Sequence, residues 1–508
     1  MRLGTALFLL GASIGAAPVL AQETHSHPPP EKLGTVVFAT TCAPSVARDF
    51  EHAVALLHSF AYTASEDAFR KIVAADPTCA MAHWGVAMSY VHLLWTPPDA
   101  ADLKAGQTEV DQALQLNARS QPERQFIAAA AAYYRDFDHL AHPVRAKAYE
   151  DAMGTAARSN PSDTEAQVFY ALSLLATAPP EDRSHANQKR AAGILEPIYR
   201  DHPDHPGVAH YLIHAYDSAE LAPRGLAAAR AYSKVAPSAP HALHMPSHIF
   251  TRLGLWDDSI VSNIAARAAA RAQGDLGEEL HAMDYLVYAY LQRGRQADAE
   301  QVVKALGTMD GLRGPDFKVG YAATAMPVRL DMEGHNWDAA VRRDPLPESA
   351  PHVSAIVFWA RAVANSRAGH PQAAREDIAR LQECRRQLQL AGNAYWATQV
   401  GVLGKEASAW QLAANSQSDQ AIQQLEQAAD EEDGLEKLPV TPGPIVPARE
   451  QLGDLLLGLN RPQQALQAYR AALAAAPGRR GALTSAAHAA DLAGDSQTAK
   501  QMRAVLSN

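Results

Sequence analysis

The sequence has few of the features that mark several large protein classes. Only three of its 508 residues are cysteines, aromatic residues make up 7%, and runs of β-branched residues are rare. Lys and Arg number 45 against 55 Asp and Glu, which gives a formal net charge of −10. This balance argues against a nucleic-acid partner, because such proteins need a basic surface. No apolar run beyond the N-terminus is long enough to span a membrane.

Two motifs of soluble enzymes are missing as well. The three cysteines form no Cys-x-x-Cys pair, which argues against thiol redox chemistry. No glycine-rich loop has the spacing that cradles the phosphates of a nucleotide.

The N-terminus has the pattern of a secretory signal. Arg2 supplies a positive charge, residues 3–17 are mostly apolar, and Val19, Leu20 and Ala21 precede the expected cleavage site. We therefore expect a signal peptide over residues 1–21 and a periplasmic or secreted mature protein. Residues 22–35 are polar and rich in proline, and we expect this segment to be disordered.

The cysteines fit an oxidising compartment. Cys42 and Cys79 flank the first predicted helical pair, so they are the preferred partners for a disulfide, with Cys384 left as a free thiol. The alternative is that all three are small buried residues without a bond.

The remaining chain has the periodicity of amphipathic helices, with apolar residues at i, i+3, i+4 and i+7. The clearest unit starts at Pro447, contains Leu452-Gly453 and the Ala465/Tyr469 spacing, and closes at Pro477. This unit resembles the tetratricopeptide repeat (TPR) family, and weaker copies cover most of the chain. The resemblance implies an all-α, right-handed superhelical solenoid of about ten to twelve helix-turn-helix repeats, whose concave groove binds a peptide or protein.

The pattern also predicts boundaries within the array. A TPR-like solenoid is expected over residues 36–430 and C-terminal TPR repeats over 447–508. Between them, residues 431–446 form a connector rich in proline and glycine, which either separates two bodies or is an ordinary long loop.

The main functional signal is a pair of His-x-x-x-His motifs, His210/His214 and His244/His248. They lie 34 residues apart, which is also the period of the TPR repeat, and a proline stands seven residues before each pair. Equivalent positions in stacked repeats face the same way. Residues at i and i+4 share one helix face, so these rings could converge on one transition metal.

Neighbouring repeats add further candidates. Aligning Gly294 with Gly254 puts His281 level with His241, and Asp284 level with His244. The predicted metal ligands are His210, His214, His244, His248, His281 and Asp284. Groove or outer-sphere residues are predicted to be His241, Asp217, Tyr288 and Arg252.

The chemistry of this site has several possible outcomes. Neutral imidazole suits copper and zinc, and the sequence predicts about one such ion. His-Glu-x-x-His is absent, since Tyr211 and Met245 follow the first histidines, which removes the metalloprotease reading.

Three hypotheses remain: a repeat scaffold that binds a peptide or protein and carries a metal site, a copper or zinc enzyme, and a metal-free interaction protein. Residues 244–250 resemble a His-Met-Pro-Ser-His-Ile-Phe motif of exported bacterial repeat proteins, a likeness that implies no substrate.

Overall fold

The computed structural model describes residues 31–94, 97–314 and 317–507. Regular structure within these ranges is helical, without strands, and the chain from Lys32 onward forms one compact unit. The predicted all-α helical-repeat architecture is confirmed. The predicted signal peptide and residues 22–30 of the predicted disordered segment lie outside the described residues.

Twelve α-helices lie in the first half of the described chain. In order, α1 to α12 are Ala47–His58, Tyr62–Ala75, Ala80–Ser89, Ala100–Leu116, Gln121–Tyr134, His142–Ser159, Thr164–Ala176, Ala186–Asp201, Pro206–Tyr216, Ala222–Val235, Pro240–His244 and Pro246–Leu253. A 3-10 turn at Pro44–Val46 precedes α1.

Thirteen further helices complete the described array. In order, α13 to α25 are Trp256–Gln273, Leu276–Gln292, Gln296–Ala305, Phe317–Glu333, Trp337–Val341, Pro351–Arg367, Ala374–Leu390, Ala394–Ala414, Ser418–Asp433, Ala448–Gly458, Pro462–Ala475, Arg480–Leu492 and Ser496–Ser507. A second 3-10 turn spans Leu306–Thr308.

Most helices pack on the next one along the chain, and alternate helices such as α14, α16, α18 and α20 also contact one another. This is the sequential packing of a solenoid, in which the alternate helices line an inner face. No helix in the described part of the chain is long and apolar enough to cross a membrane.

The repeat resemblance is visible in the packing of α22 on α23. A Cβ atom at Gly453 would lie 2.5 Å from the ring of Tyr469, so only glycine lets the two helices meet here. Tyr469 is fully buried, and its hydroxyl donates to Asp454 at 2.7 Å. The Gly453 and Tyr469 positions of the sequence pattern therefore form one contact between paired helices.

Pro246 interrupts the helix that carries the second histidine pair. Proline has no backbone N–H and fits best in the first turn of a helix, and here α11 ends at His244 and α12 begins at Pro246. His244 and His248 consequently lie on two short helices rather than on one.

The segment between α21 and α22 lies along the inner face of the array. Lys437 pairs with Asp217 at 2.9 Å, and the Tyr285 hydroxyl donates to the carbonyls of Pro439 and Thr441. Further on, Arg329 donates to the carbonyls of residues 443–445. The predicted connector thus touches residues after α9 and on α14 and α16.

The N-terminal end of the described chain is held against the same body. The Lys32 amide donates to Ser238 at 2.8 Å and the Thr35 amide to the Asp204 carbonyl at 3.0 Å. The segment predicted to be disordered, residues 22–35, therefore makes contacts with the array at its C-terminal end. The structure also joins Cys42 to Cys79 in a disulfide and buries Cys384 as a free thiol.

Candidate metal centre

Six buried histidines form two clusters inside the array. Within each cluster the candidate ligand atoms lie within 4.8 Å of one another. The clusters comprise His210, His214 and His241, and His244, His248 and His281. We call them the first and second triads.

The first triad combines helix α9 with α11. His210 and His214 are one turn apart on α9, and their Nε2 atoms lie 3.1 Å apart. The Nε2 of His241, from α11, lies 3.2 Å from that of His210. A tetrahedral metal bound by nitrogen at about 2.0–2.1 Å holds its ligand atoms about 3.3 Å apart, which these separations approach.

The second triad combines one histidine from each of the helices α11, α12 and α14. The Nε2 atoms of His244, on α11, and His248, on α12, lie 3.0 Å apart. His281 comes from α14, and its ring centroid lies 4.2 Å from that of His244. His241 and His281, which the sequence alignment placed at one level, therefore each complete a different triad.

Hydrogen bonds fix the proton positions in the first triad. The Nδ1 of His210 lies 2.7 Å from the carbonyl oxygen of His58, at the C-terminal end of α1. A carbonyl only accepts, so Nδ1 carries the hydrogen and the Nε2 of the neutral ring carries a lone pair. His241 makes the same arrangement with Glu278, whose carboxylate lies 3.1 Å from its Nδ1.

Glu278 is ionised in this environment. Burial favours its neutral form, but Lys318 and His241 outweigh burial and hold the pKa of Glu278 well below its ordinary value. The carboxylate therefore accepts the Nδ1 hydrogen of His241. The Nε2 lone pair of His210 then faces the Nε2 of His241 across 3.2 Å.

The second triad repeats this arrangement with other partners. The Nδ1 of His244 lies 2.6 Å from Asn263 Oδ1, and the Asn263 amide nitrogen donates to the Ser259 carbonyl, which fixes the amide orientation. The Nδ1 of His248 lies 2.9 Å from Asp217. Two neutral rings so oriented again point lone pairs at each other, across 3.0 Å.

Such facing lone pairs repel unless a cation lies between them. A proton could serve, but burial lowers the pKa of His248 to about 4 and, with the neighbouring histidines, lowers those of His210 and His244 well below the ordinary value. Protonation of these three rings is therefore unfavourable near neutral pH. A transition metal, by contrast, takes the neutral imidazole that this environment stabilises.

A third buried cluster behaves differently. His58 and His205 each place Nε2 at 2.8 Å from a separate oxygen of Glu165. The other nitrogen of His58 lies 2.9 Å from the Tyr211 hydroxyl, and that of His205 accepts from the Val208 amide. Every ring nitrogen here has a complementary hydrogen-bond partner, so this cluster is complete without a metal.

An aromatic ring covers each triad. Phe60 lies 4.4 Å from the ring of His210 and 5.4 Å from that of His241, between centroids. Its backbone φ of 57° is uncommon for a bulky residue. Tyr285 takes the corresponding place at the second triad, 4.7 Å from His244.

The two triads adjoin. The rings of His214 and His248 have centroids 6.1 Å apart, and so do those of His241 and His244. His248 and His281, within one triad, have the same separation. The six rings therefore form one continuous group.

The predicted ligand Asp284 lies in neither triad. The next residue on α14, Tyr285, faces the histidines, with its ring centroid 5.4 Å from that of His281. Asp284 instead lies 4.0 Å from Arg329. Burial raises the pKa of Asp284 to about 6, although Arg329 opposes the shift.

Of the other predicted groove residues, two lie beside the histidines and one does not. Asp217 holds His248, and Arg252 donates to Asp217 at 2.9 Å, so both support the second triad from outside. Tyr288 lies two turns along α14 from His281, where it contacts Arg329 and Trp256 rather than the histidines.

Some supporting residues carry no signal in the sequence. Asn263 belongs to α13 and Phe60 follows α1, and neither lies near a histidine motif in the chain. Glu278 stands three residues before His281, a spacing that could have marked it as a neighbour on one helix face.

No family model and no curated protein matches this sequence. Solved structures similar to it include a dimer of human IFIT1 with m7Gppp-AAAA, at 13% identity and a TM-score of 0.34, covering 84% of this chain and 89% of that chain. Another is the TPR domain of P58(IPK), at 16% identity and a TM-score of 0.21, covering 82% and 99%. At these values, any functional conclusion depends on the site itself.

Proposed function

We propose that the protein is a metalloprotein whose helical repeats build and shield a centre for two transition-metal ions, one in each histidine triad. The supporting observation is the pair of close Nε2 contacts, His210 with His241 and His244 with His248, in which each ring already uses Nδ1 as a donor. Such outer partners orient histidine ligands in metal sites.

The donor set suits a reactive centre better than a structural one. Each triad offers three imidazole nitrogens, whereas structural zinc sites have four protein ligands. A fourth position would then be open to water or a small ligand. Copper and zinc both accept this set, copper supplying oxidative chemistry and zinc an activated water for hydrolysis.

Metal analysis of the untagged protein tests this proposal. After loading with copper or zinc and removal of excess metal, we expect about two ions per chain, one per triad. His210→Ala combined with His241→Ala should lose one ion, and His244→Ala with His248→Ala the other. The exposed His488→Ala is the control and should keep both.

The outcome that overturns the proposal is equally definite. If the loaded wild type holds no metal, or if the paired variants hold as much as the His488→Ala control, the triads are not metal sites. Circular dichroism of each variant shows whether the helices persist, so that loss of metal is not confused with unfolding.

Binding of a peptide or protein in the groove is a separate proposal. The connector already lies on the inner face beside the triads, held by Lys437 and by the carbonyls that Tyr285 contacts. A groove partner would therefore bind elsewhere on that face or displace the connector. Cross-linking in the native exported fraction, with and without a Lys437→Ala change, distinguishes these two arrangements.

We also propose export. The N-terminal sequence pattern supports it, and so does the disulfide between Cys42 and Cys79, because such bonds persist in oxidising compartments. N-terminal sequencing of the mature protein should give Gln22. A protein that retains Met1 and stays in the cytosol contradicts export.

A further inference from the structure

A cavity of about 280 Å³ opens beside the first triad. His214 and Asp217 line it on one side, and the connector residues Lys437 and Pro439 line it on another. His214 is 9% exposed, whereas His210 is fully buried. The cavity is therefore a route by which a small molecule reaches the histidine group.

The cavity has an apolar wall. Leu93, Leu94 and Leu175 line it, together with Ala176 and Ala215. An apolar cavity of about 150 Å³ is large enough to bind benzene. This wall would accommodate the hydrocarbon body of a ligand with one ring or a short chain.

Two polar side chains on the wall each have a buried atom that lacks a hydrogen-bond partner. His185 is 2% exposed, and its Nδ1 has no hydrogen-bond partner. The buried Oε1 of Gln188, one turn along, has none either. Leaving buried polar atoms without partners is costly, so a ligand that hydrogen bonds to them after a rotation of the side chain would be favoured. An amide oxygen only accepts, so that ligand must carry a donor.

The charged groups of the wall are already paired. Asp217 pairs with Lys437 and Arg252, and Glu436 pairs with Arg252 and Arg183. No carboxylate or ammonium group on this wall awaits a counter-ion among the described residues. These pairings favour an uncharged ligand over an ionic one.

We infer that this cavity is the ligand site of the protein and binds a small uncharged molecule with an apolar body and a hydroxyl or amino group. Gln188 accepts the donor hydrogen of the ligand and His185 makes the second hydrogen bond, while the leucine wall holds the apolar body. The site deepens the proposed function, because a molecule held there lies beside His214 of the first triad.

Binding of phenol to the metal-free full-length protein tests the site without any assumption about metal. Titration followed by calorimetry should show saturable binding at one site, and benzene, which lacks the donor, should bind more weakly. Gln188→Leu should weaken phenol binding about tenfold, the usual effect of one lost hydrogen bond, and leave benzene binding unchanged.

A substitution that fills the cavity provides a second test of the site. Ala178 lines the cavity from a loop, so Ala178→Trp should abolish phenol binding while the helices persist. Leu390→Trp adds the same side chain at a position that is 76% exposed and away from the cavity, and should bind phenol as the wild type does.

Three results overturn the inference: no phenol binding by the folded wild type, equal binding by Ala178→Trp, or equal effects of Gln188→Leu on phenol and benzene. Metal content decides the proposed function separately. If the protein binds two metal ions but no phenol, the proposed metal centre is supported and the ligand site is overturned. If it binds phenol but no metal, the ligand site alone is supported.

Discussion

Asp217 accepts a hydrogen bond from the Nδ1 of His248 at 2.9 Å, and this contact joins the second triad to the wall of the cavity. The carboxylate is buried, which favours its neutral form, but Lys437 and Arg252 hold the pKa of Asp217 well below its ordinary value. An ionised Asp217 fixes the proton of His248 on Nδ1 and leaves Nε2 to face His244.

The first prediction follows from this contact. Asp217→Ala should lower the metal affinity of the second triad ten- to a hundredfold, the usual effect of removing an outer partner of a histidine ligand. Competition with a chelator of known affinity measures it. The exposed carboxylate variant Glu220→Gln should bind metal as the wild type does. Equal loss at both triads would contradict the assignment of Asp217 to His248.

The second prediction concerns pH. Burial lowers the folded-state pKa of His210, His244 and His248, the last to about 4, below the value of about 6.5 in an unfolded chain. As pH falls toward and below about 6.5, the unfolded state binds protons that the folded state does not bind, so the free energy of unfolding decreases. At pH 8, well above this value, these groups are neutral in both states and have no effect.

Urea unfolding of the metal-free protein at pH 8, 6 and 5 measures this dependence. Saturation with metal should reduce the loss at pH 6, because a metal that binds only the folded state stabilises it. A free energy of unfolding that stays constant or increases as the pH is lowered from 8 to 5 contradicts the prediction.

The third prediction has the opposite sign. Glu406 is 1% exposed, one of its oxygens has no hydrogen-bond partner, and burial together with Glu432 raises the pKa of Glu406 well above its ordinary value. A raised carboxyl pKa contributes stability that is present at low pH and lost as pH rises. Glu406→Gln keeps a neutral group there.

We therefore expect Glu406→Gln to stabilise the protein at pH 8, by on the order of 1–3 kcal/mol, and to have little effect near pH 4. Urea unfolding at both values measures the difference. Glu426→Gln, on the exposed side of α21, is the control and should change little at either pH. Destabilisation at pH 8 would show that the charged form of Glu406 is the favoured one.

The fourth prediction tests the packing of a repeat. Gly453→Ala places a Cβ atom 2.5 Å from the Tyr469 ring and should destabilise the protein by about 1–3 kcal/mol. Gly458→Ala is the control on the same helix, because no atom lies within 4 Å of its added Cβ. That change should be neutral or stabilising, since alanine favours helix. Equal thermal stability of the two variants would contradict the contact.

Much of the architecture could be predicted from local signals. Apolar periodicity identifies the helices, because one face of each must be buried. The proline and glycine positions marked their ends, and Gly453 with Tyr469 identified a paired contact correctly. The location of the histidine group also followed from the repeat register of His210/His214 and His244/His248.

The details of that group could not be predicted in the same way. The sequence predicted that the histidine pairs converge on one ion, whereas the structure divides them between two triads. His241, predicted to be a groove residue, joins His210 in the first triad, and His248 is held by Asp217. Asp284 was expected to be a ligand, but it lies outside both triads, 4.0 Å from Arg329.

The sequence by itself determined the helical-repeat architecture and the set of histidines, because both depend on spacing along the chain. Only the tertiary structure decided how those histidines divide, which acceptor holds each Nδ1, and that the connector lies against the inner face beside them. Glu278, Asn263 and the carbonyl of His58 come from three different helices. Their approach to the rings depends on how the helices pack, and no local pattern along the chain encodes it.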